Sequence, residues 1–172
     1  MDPLKEKEPV QNVVNPEIWV IQILNAWNAQ IESADNLFNL LTDEQLQQEV
    51  APGRNTGIYL LGHLTAVNDG LLPLFGLQEK LYPQLENLFL DSPDNSGLEK
   101  PGINDLRNYW REVNKQLSDH IQQFSINDWL QKHNSISAAD FAKEPHRNKL
   151  NVLLHRTGHL AYHLGQLAFL KK

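Results

Sequence analysis

The sequence contains no cysteine, beside seven histidines in 172 residues. That absence excludes a disulfide scaffold, an iron–sulfur cluster, a thiolate zinc site and a protein thiol nucleophile. A metal site has to be assembled from histidine nitrogen and Asp or Glu oxygen, and thiol chemistry has to bring its sulfur on another molecule. Clustered basic residues are missing as well: 15 Lys and Arg face 21 Asp and Glu, for a net charge of −6. A phosphate backbone releases its counterions to grouped cations, so no nucleic-acid partner is expected. No run approaches the ~20 apolar residues of a membrane span. The opening MDPLKEKEPV is charged and lacks the apolar stretch of a signal peptide. The expectation is a cytoplasmic protein with no membrane partner.

What is present, 41% hydrophobic and 21% charged residues, is the balance of a single folded domain over 1–172, with 1–14 as a flexible N-terminal segment. Four segments carry helical periodicity. The first begins at Asn15-Pro16, a capping residue followed by a first-turn proline. It sets Val20, Leu24, Trp27, Ile31, Ala34, Phe38 and Leu41 at alternating spacings of four and three. The second opens near Asn55-Thr56 and runs through Ile58, Leu61, Leu64 and Val67 to about Leu74. The third follows Pro101-Gly102 with Ile103, Leu106, Trp110, Val113, Leu117 and Phe124 on one stripe, and the fourth runs from about Asn148 to the end. Period-two alternation is almost absent, so the fold class is all-α, most economically a four-helix bundle.

The connection from Phe75 to Gly102, about 28 residues, is too long for a tight turn between neighbours and reads as a crossover. It predicts that helices two and three run roughly parallel. Short helices are expected over Pro83–Phe89 and over Ile126–Gln131, the latter capped by Ser125. Trp19, Trp27 and Trp110 are read as core or near-core residues, and Trp129 as a cover for the third connection.

The last helix carries the chemistry. His155, His159 and His163 recur every four residues, so their side chains stack along one face with about 40° between neighbours. Gln166 lies on the same face, Arg156 falls beside His163, and Leu153, Leu160, Leu164 and Leu167 form the adjoining apolar strip. A His pair at this spacing can hold one ion, and His63 on the second helix offers a third nitrogen. Spacing alone fits a metal-binding face and an exposed polar edge equally well. The Glu of an H-E-x-x-H metalloprotease is absent from His159-Leu160-Ala161-Tyr162-His163, and no Asp or Glu follows Glu144. Tyr162 is read as bundle packing with its hydroxyl at the edge. His120, His133 and His146 lie without partners and are read as solvated.

The Gly62-His63-Leu64 element, together with His159-x-x-x-His163-x-Gly165-Gln166 near the C-terminus, resembles the DinB-like (YfiT-like) metalloprotein superfamily over essentially the whole chain. The resemblance implies a four-helix bundle of up-down-down-up course with a long crossover between helices two and three. It implies a divalent metal, zinc or nickel, held by His63, His159 and His163. It also implies low-molecular-weight-thiol-dependent S-transfer to a small electrophilic substrate, and a homodimer. His155, Gln166 and Arg156 are the neighbouring candidates for a supporting or substrate-side role. Two other readings are a metal-dependent hydrolase, with His155 as base, and a non-catalytic metal-binding or interaction bundle.

Overall fold

The structure, a computed structural model, describes residues 15–171; the segment 1–14 lies outside the described residues. Its helices are α1 (Pro16–Leu40), α2 (Asp43–Leu46), α3 (Gly57–Asp69), α4 (Leu71–Leu74), α5 (Gln84–Glu86), α6 (Ile103–Ile121), α7 (Ile126–Leu130), α8 (Ala138–Lys143) and α9 (Lys149–Leu167). A π-helical turn spans Asn87–Asp91, a 3-10 turn spans Ala168–Leu170, and no strand occurs among the described residues. The all-α class is as expected.

Three of the four long helices start where the sequence provides a side-chain partner for the free amides of a first turn, whereas α6 follows Gly102, which has none. The Asn15 side chain accepts from Glu17 N at 3.0 Å, with Pro16 in the first turn of α1. Thr56 accepts from Tyr59 N at the start of α3, and Asn148 from Asn151 N at the start of α9. The α1 seam is as read: Val20, Trp27, Ala34, Phe38 and Leu41 are buried, with Leu24 and Ile31 partly buried. Trp19 is the exception. It lies one residue off the four-and-three stripe, which turns its ring outward to 55% exposure.

α3 was expected to continue to about Leu74, but it stops at Asp69, and Gly70 separates it from α4. Pro73 has no N–H to donate and its ring conflicts with the carbonyl four residues earlier, which is that of Asp69. α6 likewise ends at Ile121, short of Phe124. Phe124 instead packs against Trp129 (ring centroids 5.0 Å apart), and Trp129 meets Phe75 at 6.0 Å, closing the third connection. The Ser125 cap on α7 is present. The expected 83–89 helix forms as α5 and then continues as the π-helical turn to Asp91. Two short helices escaped the periodicity, α2 and α8, although Thr42…Gln45 forms a capping box and Ser137 caps Asp140 N.

Contacts at the helix ends arrange the bundle. Arg107, early in α6, donates to the carbonyls of Phe38 and Leu41 at the end of α1. The carbonyl of Leu170, just past α9, accepts from Gln45 Nε2 at 2.9 Å, and the Leu170 side chain abuts Gly57 at the start of α3. Asn68 at the far end of α3 donates to Asn114, well along α6, at 2.8 Å. The end of α1, the start of α3, the start of α6 and the end of α9 therefore meet at one end of the molecule.

The segment between α4 and α6 lies along α3 as a strap pinned at both ends. At one end the buried Asp69 carboxylate accepts from the amides of Leu81 and Tyr82, both at 2.8 Å. Burial raises its pKa, and these two amides oppose the rise. At the other end Asp94 accepts from Thr56 N and Oγ1, both at 2.7 Å, and pairs with Lys100 at 2.7 Å. Burial opposes its ionisation, but the Lys100 and Thr56 hydrogen bonds outweigh it and hold the Asp94 pKa down. Between the pins, the fully buried Phe89 ring rests on Gly62.

Removing the Asp69 pin leaves two backbone donors without their acceptor, each costing ~1–3 kcal/mol if kept from water. Asp69→Ala should therefore destabilise the fold by about 3 kcal/mol. Urea unfolding monitored by circular dichroism measures this; a loss below ~1 kcal/mol would show that the strap does not depend on that carboxylate.

Candidate metal centre

α3 and α9 bring His63, His159 and His163 together, each partly buried, with one ligand atom from each inside a group no wider than 4.8 Å. The Nε2 of His159 stands 3.2 Å from that of His63 and 3.1 Å from that of His163. Two nitrogens bound about 2.1 Å from one ion at angles of about 90–110° stand ~3.0–3.4 Å apart, so both distances suit ligands of a common ion.

The outer ring atoms settle which nitrogens are available. His63 Nδ1 lies 2.9 Å from the Phe89 carbonyl, which can only accept. His63 therefore carries its proton on Nδ1, and its Nε2 presents a lone pair to the cluster. His163 Nδ1 lies 2.7 Å from Gln166 Oε1, while the amide of Gln166 donates to the Tyr162 hydroxyl at 3.2 Å. This turns the Gln166 oxygen toward His163 and leaves His163 Nε2 bare as well. His159 Nδ1 is buried and has no partner. A single proton on His159 Nε2 would satisfy one of its two neighbours, so at least one lone pair stays uncompensated. A cation among the three resolves this, and the donor set fits a divalent metal.

At His159 and His163 the electrostatics favour the neutral imidazole, the ligating form. Burial, then the mutual repulsion with His163, His63 and Arg156, lowers the His159 pKa from 6.5 to about 4. His163 is also lowered by burial, with the Gln166 hydrogen bond acting in the opposite sense. No carboxylate joins the group.

Of the neighbouring candidates, Gln166 supports the site directly by holding His163. His155 does not reach it: its side chain is exposed, one helical turn before His159 and outside the cluster. Arg156 lies outside the cluster and lines a cleft of about 440 Å³ with Val67 and Leu90, near enough for its charge to help depress His159. Tyr162, expected to pack in the bundle, is 64% exposed and meets the His163 ring edge-on at 5.1 Å. On that side a cavity of about 270 Å³ is lined by Tyr162, His163, Gln166, Val50, Arg54 and Asn55. Phe89 gave no signal in the sequence, because its contribution is a backbone carbonyl. Tyr59 also went unread; its ring stacks 6.3 Å from His63 and its hydroxyl donates to the Ser92 carbonyl at 2.7 Å.

Gly62 decides how close the strap comes. A Cβ there would collide with the Phe89 ring. Gly62→Ala should displace the Phe89 carbonyl from His63 and weaken divalent-metal binding at least about tenfold, consistent with loss of a partner that orients a ligand; competition with a chelator measures it. The metal-free protein should also respond to acid. An unfolded His159 takes its proton near 6.5, whereas the folded one resists to about 4. The unfolded chain then binds more protons in that interval, so stability falls as pH drops from about 6.5 toward about 4. Urea midpoints across this range should show a steeper decline for the metal-free wild type than for His159→Gln; parallel slopes would overturn the assignment.

The solved structure of a DinB-like protein from Bacillus cereus ATCC 10987 is similar, with a TM-score of 0.61 and 21% identity over 86% of this chain and 87% of that one. At that identity the likeness concerns the fold. No curated protein matches the chain. The DinB superfamily matches over residues 26–167, well over half of the sequence, and the chain belongs to that superfamily.

Proposed function

We propose that the chain is a divalent-metal-dependent enzyme in which His63, His159 and His163 hold zinc or nickel, and that it transfers a low-molecular-weight thiol to a small electrophile. The observation that carries this reading is the convergence of the three Nε2 atoms, two of them stripped of protons by the Phe89 carbonyl and Gln166. Three neutral nitrogens leave the ion its full positive charge and leave coordination positions for a further ligand. When bound, the metal supplies the Lewis acidity that keeps a cosubstrate thiol ionised near neutral pH.

The chain's own residues supply orientation. Phe89 fixes the His63 ring, Gln166 fixes the His163 ring, and the apolar Leu160 and Leu164 flank the ligands on α9 as part of the core. The protein has no cysteine to compete with an incoming thiol. In the transfer, the thiol proton passes to solvent, a sulfur–carbon bond forms, and the electrophile's leaving group departs with its electron pair. A hydrolase reading has less support, since His155 is outside the cluster and no carboxylate lies within it. A homodimer belongs to the same proposal, and no described helix is long and apolar enough to cross a membrane.

Untagged protein should carry close to one equivalent of zinc or nickel by elemental analysis. His159→Ala should lose it while keeping its helical circular dichroism. The loaded protein should consume a model electrophile such as monochlorobimane only when a thiol is added. Folded protein that takes up no divalent metal sinks the proposal, and thiol-independent hydrolysis redirects it to the alternative.

A further inference from the structure

The cavity of about 270 Å³ has a histidine of the cluster in its own wall, where His163 and Gln166 stand with Arg54, Asn55 and Tyr162. A second cavity, of about 360 Å³, shares Val50, Arg54, Tyr162 and Gln166 with it and adds Ala51 and Phe169. The common wall residues make the two one recess, running from the His163 ring to the apolar surface at Phe169. Its size is that of a small-molecule site.

The polar part of this recess offers donors and no acid. Among the described residues, the side chains of Arg54 and Asn55 form no hydrogen bond and Arg54 no ion pair. The Tyr162 hydroxyl accepts from Gln166, which leaves its own proton to donate. Glu49 and Asp94 line a further cavity beside Arg54 but enter neither of these two walls. Glu49 accepts from Gly53 N at 2.8 Å, and Asp94 is held by Thr56 and Lys100.

Local sequence fixes Arg54 in this place. Its N–H donates to the Ala51 carbonyl at 2.9 Å across Pro52-Gly53, and Gly53 has a φ of +71°, the left-handed position that such a turn reserves for glycine. Below the turn, Val50 N donates to the Asn55 carbonyl and Gly57 N to that of Gln48, both at 3.0 Å. Across the recess, Tyr162 is 64% and Phe169 79% exposed. Two rings left open to water beside an unpaired guanidinium give a flat apolar surface with a carboxylate donor at its edge.

We propose that this recess binds the substrate of the metal centre, and that the substrate is a small aromatic carboxylic acid. Arg54 takes the carboxylate and is the specificity determinant, and Tyr162 and Phe169 take the ring. The proposal rests on the metal reading above and narrows its electrophile to an acid.

Fluorine NMR titration of the full-length zinc-loaded protein tests this with 4-fluorophenylacetate and its uncharged amide, 4-fluorophenylacetamide. The acid should bind at least about fivefold more tightly, as a charge-assisted hydrogen bond at an open site provides. Arg54→Met should remove that preference and Arg54→Lys should keep part of it, with metal content and circular dichroism unchanged in both. Phe169→Ala should weaken both probes alike. With paramagnetic cobalt(II) in place of zinc, the fluorine of the bound acid should relax faster, because the recess adjoins the centre. Equal affinity of the two probes, a preference that survives in Arg54→Met, or equal relaxation in the cobalt and zinc forms overturns the proposal. Failure of the metal reading is separable, because elemental analysis would then show no uptake of metal by the wild type. The two probes are in that case titrated into the metal-free protein. A preference for the acid that Arg54→Met loses supports the acid site, and equal affinity overturns it.

Discussion

The hydrogen bond from His63 Nδ1 to the Phe89 carbonyl is the constraint around which the rest of the structure is arranged. It forces the His63 proton outward and its lone pair inward, and it does so with a backbone atom that cannot change role with pH. It exists only because the strap passes over α3, and the strap passes there because Asp69 and Asp94 tie down its two ends. Gly62 permits the approach, and the π-helical turn over Asn87–Asp91 delivers the carbonyl. Extra-residue turns of this kind often occur where a helix has to present an atom to a site. One polar contact thus links the connection between α4 and α6 to the centre between α3 and α9.

The other side of the centre is built by a different device. His163 is held by a side chain on its own helix, Gln166, which is in turn oriented by Tyr162. One histidine of the cluster is therefore set by tertiary structure and another by local helical spacing. His159, between them, has no outer partner, and its ring is set by packing and by its two neighbours. His159 and His163 resist protonation, and the group of three has no negative charge of its own to offset a cation. That combination suits a strongly Lewis-acidic ion and an anionic ligand beside it. Arg54, in the wall of the cavity at His163, extends the same electrostatic preference.

The helices were legible because the apolar spacing of α1, α6 and α9 is regular and the starts of α1 and α9 carry capping side chains. Their ends were less legible, since Pro73 and Gly70 act on a helix only through local geometry that a stripe of leucines does not reveal. Trp19 misled because an aromatic near a seam resembles a seam residue until its angle is counted. At the site, His159 and His163 were readable as an i, i+4 pair, and Gln166 as a member of the same face. His155 was equally regular in sequence, yet it falls outside, because the cluster forms only where α3 packs against α9 and presents His63.

The sequence by itself determined the helical class, the absence of any cysteine thiolate in the chain and the histidine pair on the last helix, because these follow from composition and a 3.6-residue period. Only the tertiary structure decided that His63 meets that pair, that a carbonyl 26 residues further on selects its tautomer, and that Arg54 shares a cavity wall with His163. Each of those depends on which segment lies against which, and the path of the strap across α3 is written in no periodicity of the chain.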